Sequence, residues 1–286
     1  MRRALAVALL AVSVSACASD PSTIASGPTT SMPAEATTPQ PGVVRSSSTT
    51  MHARTVVGST PSTGSRPASP TTQLPPLGGA GTEAPHYLRA SRSSAIVLQV
   101  LTQSGAEPRQ GSIDHLVSNL EQVSGKPVTV TGGTLPSSSA TWTDASLEAE
   151  GASRQPSVAD GVALMQYLFV HGTYRGDDSV LGLTVTGDLT AIFSDQVTGA
   201  ASGLATPGHI EESVTTHELG HLLGLVDLFL HTGRADPQHP GHSRNPKSVM
   251  YWAVESSVVT DLLTGGPPTE FDAADRADLA TIRGDG

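Results

Sequence analysis

His217-Glu218-Leu219-Gly220-His221-Leu222-Leu223-Gly224-Leu225-Val226-Asp227 specifies chemistry as well as shape. Histidines four apart on a helix share one face, a single turn separating them. Two imidazoles so placed reach one zinc ion. Glu218 follows the first histidine, so it enters the same cleft without having to bind the metal. From there it can take a proton from a water that the metal has acidified. The helix is expected over about His209 to Leu223 and stops at Gly224, where glycine allows a backbone turn that other residues resist.

Outward from this stretch the chain divides unevenly. It has 286 residues, 16 basic and 26 acidic, for a formal charge of −10. Met1–Ala16 carries Arg2 and Arg3, then an apolar run and small residues up to Cys17. That is the pattern of a secretory signal, and its apolar run is short for a transmembrane helix. Export is the expectation, with the folded part outside the cytoplasm. The single cysteine implies a domain that folds without disulfides. Loss of Arg2 and Arg3 with the signal would take the charge to about −12. An acidic chain with no basic cluster argues against nucleic-acid binding and against electrostatic attachment to anionic lipid.

Residues 17–84 are rich in Ser, Thr, Pro, Gly and Ala and show no apolar periodicity. Such a segment buries too little surface to offset the entropy of ordering it, so a disordered tether is expected. Residues 85–286 suffice for one domain with its own core. Ser94 to Leu101 is a near-continuous apolar run of strand length. Ile113, Leu116, Val117, Leu120 and Val123 follow at helical spacing, stopped by Gly125 and Pro127. Lys126 to Val130 then suggests a second strand, closed by Gly132-Gly133. This order predicts a parallel pair joined by a crossover helix.

Leu135 to Pro156 is polar and gives no clear element. Tyr167, Phe169 and Val170 tip Val162–Val170 toward strand. Leu181–Thr186 and Leu189–Phe193 read as a hairpin turning at Gly187-Asp188. A loop over Thr198–Gly208 and a last helix over Ala273–Ile282 complete the chain. The expected class is α+β: a mixed β-sheet, a central active-site helix and a C-terminal helix.

His217-Glu218-x-x-His221-x-x-Gly224 with Ser248-Val249-Met250-Tyr251 downstream resembles the metzincin clan of zinc proteases. The resemblance implies a zincin-like fold, a Zn2+ cofactor and a protein or peptide substrate. It also implies Glu218 as the catalytic carboxylate and a Met-turn at Met250 beneath the metal. Two positions compete for the third ligand. Asp227 stands where most metzincins have His and snapalysin-like ones have Asp. His242-Ser243, four residues, Ser248, one residue and Met250 resembles instead the archaemetzincin order of His, Cys, Cys and Met. That alignment favours His242 as ligand, with Ser at both Cys positions and about 15 residues inserted after the Gly turn. Asp227 would then orient a ligand imidazole. Asp236-Pro237-Gln238-His239-Pro240-Gly241-His242 is also similar to a segment of exported metalloprotease-like lipoproteins, and His231 or His239 are further candidates. A gluzincin would draw on Glu255 or Glu270, which lack helical context, and Gly224 argues against it.

Val14-Ser15-Ala16-Cys17 resembles a bacterial lipobox, which implies a lipid anchor on Cys17 and attachment to a membrane. Tyr251 is a candidate to hold an oxyanion or, equally, a core aromatic beside Trp252. The alternative to a membrane-anchored endopeptidase is a surface lipoprotein of zincin fold that binds zinc or peptide without cleaving.

Overall fold

The computed structural model describes residues 78–136, 139–203, 205–259 and 266–285. Met1–Ala16, Cys17 and the tether up to residue 77 lie outside them. Among the described residues no helix is long and apolar enough to cross a membrane.

A five-stranded mixed sheet forms the centre. Ala95–Gln103 (β1) pairs in parallel with Val128–Leu135 (β2) on one side and Val162–Val170 (β4) on the other. Between the first two runs Gln110–Ser124 (α2), the expected crossover helix, which ends at a left-handed Gly125. β4 continues in parallel to Leu189–Phe193 (β7), and Gly182–Thr184 (β6) closes the sheet antiparallel to β7. The order is β2-β1-β4-β7-β6, so β6 is an edge. Thr141–Trp142 (β3) and Thr173–Tyr174 (β5) form a separate two-stranded pair.

Apolar side chains fill both faces of this sheet. One face packs against α2, Pro207–Leu222 (α5) and Ala273–Arg283 (α6), with Leu98, Leu116, Tyr167, Val214 and Leu279 among the buried residues. The other face carries Leu101, Leu168, Phe193, Trp142 and Leu147, the last from Asp144–Ser153 (α3). Strands covered on both sides read as continuous apolar runs rather than alternation, as β4 does.

Four expectations need correction. β2 does not stop at Gly132-Gly133 but runs through both, because a Cβ at Gly133 would stand 2.6 Å from the Leu101 side chain. The hairpin turn is longer than Gly187-Asp188 and spans residues 185–188. Gly187 is tied elsewhere, its N–H donating to the Gly78 carbonyl. The fold also reaches back into residues assigned to the tether. Ala84 is fully buried, and a Cβ at Gly81 would stand 2.9 Å from Gly224 Cα. Finally, three short helices were not anticipated: Ala84–Leu88 (α1), α3, and Ser194–Gly199 (α4), which takes up the start of the loop expected over Thr198–Gly208.

Candidate metal centre

α5 starts at Thr206, whose hydroxyl accepts from the His209 N–H, with Pro207 in the first turn. The helix is buried along most of its length although it carries many polar residues. Each therefore needs a partner. Glu211 receives the Arg109 backbone N–H at 2.7 Å and its guanidinium at 2.5 Å. Ser213 donates to the Pro268 carbonyl, and Asn119 donates to Thr216. Polar residues along this helix are thus held by their neighbours before the histidines are reached.

His217 and His221 project from the last turns, with their Nε2 atoms 3.0 Å apart. His217 Nδ1 lies 2.6 Å from the Val249 carbonyl. That bond requires a proton on Nδ1 and leaves the Nε2 lone pair facing inward, as a metal-binding histidine requires. After Leu222 the chain turns at Gly224, with φ +76°, where a Cβ would meet Phe229 Cβ at 2.6 Å. Val226 and Asp227 also adopt positive φ, 52° and 67°. For a β-branched residue such as Val226 this is strained backbone.

The turn directs Asp227 away from the histidines. Its Oδ1 accepts from the Thr232 N–H, the Thr232 hydroxyl and the Gly233 N–H, and its Oδ2 from the Ala235 N–H. Partial burial works against the ionised form, but these donors outweigh it and hold the carboxyl below its ordinary range. Asp227 touches no ligand imidazole; it folds the loop that follows.

That loop brings in the third histidine. Arg244 donates to the Ala235 and Gly233 carbonyls, Asp236 N–H to His242 O, and Ser243 N–H to Met250 O. His239 bonds Asp236 and stacks on Trp252, with ring centroids 4.5 Å apart. His242 thereby stands against both helix histidines, its ring 5.2 Å from His217 and 4.9 Å from His221. Neither His239 nor His231 belongs to this group. The two serines at the cysteine positions are bonded in other ways. Ser243 Oγ accepts from Asn245 N–H, and Ser248 Oγ donates to the buried Asp275 and accepts from Met250 N–H.

Glu255, set aside in the sequence for want of helical context, completes the group. It ends a 3₁₀ turn, Trp252–Glu255, just beyond Met250. Its Oε1 lies 3.0 Å from His242 Nε2, and its Oε2 lies 3.5 Å from His217 Nε2 and 3.9 Å from His221 Nε2. One ligand atom each from His217, His221, His242 and Glu255 lies within 4.8 Å of the others.

This donor set fits a metal ion. Two buried imidazoles, the half-buried His242 and a carboxylate converge on one point, yet His242 Nε2, which faces the group, has no hydrogen-bond partner, nor has Glu218 Oε1 beside it. Burial, then the neighbouring His217 and His242, push His221 well below its usual pKa, leaving it neutral with a lone pair to donate. Burial alone would raise Glu255, but its bonds to His217 and His242 bring it below the ordinary carboxylate range.

Glu218 sits beside the group with a different environment. It is fully buried, and its Oε2 accepts from Thr184 Oγ1 at 2.7 Å. A Cβ at Gly182 would stand 2.9 Å from Oε1, so this glycine of β6 leaves the carboxylate its space. Burial, then the charge of Glu255, raise the Glu218 pKa well above normal. Below the site Met250 is fully buried against α5: a Cβ on Gly220 would stand 2.1 Å from its Sδ. Tyr251 is half-buried beside Trp252, ring centroids 5.7 Å apart.

No family model and no curated protein matches the chain. Among solved structures, it is similar to an archaemetzincin from Methanopyrus kandleri at 17% identity, covering 67% of this chain and 97% of that one, with a TM-score of 0.48. A zinc-dependent peptidase from Methanocorpusculum labreanum matches at 15% identity over 64% and 99%, TM-score 0.39. Metalloproteinase-II from Bacteroides fragilis matches at 14% identity over 75% and 58%, TM-score 0.38.

Proposed function

We propose that this chain is a zinc-dependent endopeptidase of metzincin type, exported and held at a membrane by lipid on Cys17. The observation that carries the catalytic part is the meeting of His217, His221, His242 and Glu255 beside an unpartnered, buried Glu218 oxygen. The anchor rests on the signal-like start and lipobox of the sequence.

Zinc held by the three histidines supplies a Lewis acid that polarises a carbonyl and acidifies water. The remaining steps belong to the protein. Glu218 accepts the proton of the attacking water at Oε1 and returns it to the leaving amine. Its raised pKa suits both halves of that exchange. Thr184 holds Oε2, so the proton-carrying oxygen is the free one. Val249 O fixes the His217 ring, and Met250 supports the helix from below as the Met-turn. An extended peptide would pair with the sheet edge at β6, over the Glu218 turn.

The test compares wild type with Glu218→Gln at equal zinc content on an unfolded protein substrate. Wild type cleaves, and the variant loses about 10²-fold or more of the rate. Equal rates in the two proteins would refute the assignment. A second reading, zinc binding without cleavage, is favoured by Glu255, which adds a fourth donor to the three histidines.

A further inference from the structure

Glu255 is not delivered to the histidines by chance of rotamer; its backbone is fixed to the sheet edge. Leu181 N–H donates to the Glu255 carbonyl at 2.7 Å, and Ser257 N–H donates to the Ser179 carbonyl at 2.8 Å. Val180 and Ser256 form an antiparallel bridge. Ser179–Leu181 leads directly into edge strand β6. The segment 255–257 is therefore bridged to the edge just ahead of β6, the strand whose Gly182 and Thr184 meet Glu218 and where an extended peptide would pair.

The two facts are independent and point the same way. The backbone of 255–257 takes up the edge hydrogen bonds of Ser179 and Leu181, next to the strand where a substrate backbone would pair. The Glu255 side chain meets the Nε2 atoms of all three histidines at 3.0–3.9 Å. Four protein donors make a closed site, whereas three leave a position for water. We propose that Glu255 is a fourth protein ligand of the metal and that the segment 255–257 carrying it, bridged to the edge at the entry to β6, holds it there, so that the resting site is closed by its own chain. This rests on the metal site proposed above and adds to it the condition for turnover: Glu255 must leave the metal before water and peptide enter.

Cobalt(II) replaces zinc in the test because its visible absorption reports donor number and ligand exchange directly. The full chain is loaded with one equivalent and titrated with acetohydroxamate, a small bidentate metal ligand. The wild-type spectrum is expected to resist the hydroxamate. Glu255→Gln should bind it at least about tenfold more tightly, equivalent to about 1.4 kcal/mol. In Glu255→Ala, added acetate should restore the wild-type spectrum, a rescue that a merely structural role of Glu255 would not give. If the hydroxamate affinity and spectrum of Glu255→Gln match wild type, Glu255 is not a ligand and the proposal is overturned while the three-histidine site stands. If wild type takes up no cobalt, the metal site itself fails and the closure with it.

Discussion

Met250 Sδ lies so close to α5 at Gly220 that a Cβ there would stand 2.1 Å from it. The residue between the two helix histidines is therefore fixed by a methionine 30 positions downstream. Gly220→Ala removes a glycine from a helix, which by propensity alone should stabilise by about 1 kcal/mol. The clash reverses that sign. Thermal unfolding of the metal-free variant should show a midpoint several degrees below wild type, and Met250→Ala in the same chain should recover part of the loss. A Gly220→Ala protein as stable as wild type would show that Met250 does not support the helix.

Asp227 should act through the loop rather than the metal. Its hydrogen bonds to Thr232, Gly233 and Ala235 lower its pKa in the fold. A carboxyl depressed on folding contributes stability above its unfolded pKa, about 3.9, and loses it as pH falls through the folded value. Urea unfolding of metal-free protein between pH 2.5 and 7 should therefore show an acid limb that flattens in Asp227→Asn. The variant should bind zinc more weakly than wild type yet retain three imidazole donors.

A buried clasp ties the loop to the C-terminal helix. Arg234 bonds Asp275 at 3.1 Å and Asp278 at 2.5 Å, and Ser248, two residues before Met250, also donates to Asp275. Asp275 is fully buried, and its pKa is raised by burial first and by Asp272 second. Arg234→Ala leaves that carboxylate without its cation, at a cost of about 3 kcal/mol. Adding Asp275→Asn should recover much of this, since the neutral amide needs no cation. Denaturant midpoints of the three proteins measure the difference.

Metal removal should cost stability through mass action. At free zinc about 1,000 times the dissociation constant, binding adds about 4 kcal/mol to the folded state. Chelation should lower the melting temperature by several degrees, and zinc should restore it. In His217→Ala, which loses one imidazole, the chelator should shift the melting temperature less than in wild type.

Much of this arrangement was legible because it is local. β1, α2 and β4 announce themselves through apolar runs and helical spacing, and His217, Glu218 and His221 need only one helix turn. α3 was not, because only Leu147 and Gly151 of its ten residues are buried and no apolar stripe marks it; its capping box at Thr143 and Ser146 was the available signal. The role of Asp227 was hidden by backbone geometry: the left-handed pair Val226–Asp227 turns the carboxylate toward the loop. Glu255 had no periodic context, since a 3₁₀ turn and a strand-like bridge present it to the histidines. Only its nearness to Met250 hinted at the site.

The central claim is that the His-rich loop supplies the third imidazole. X-ray absorption at the zinc edge, on the full chain and on His242→Ala, counts those rings directly. Three imidazoles in wild type and two in the variant are predicted. Two in both would contradict the account and leave the third position to an oxygen donor such as Glu255.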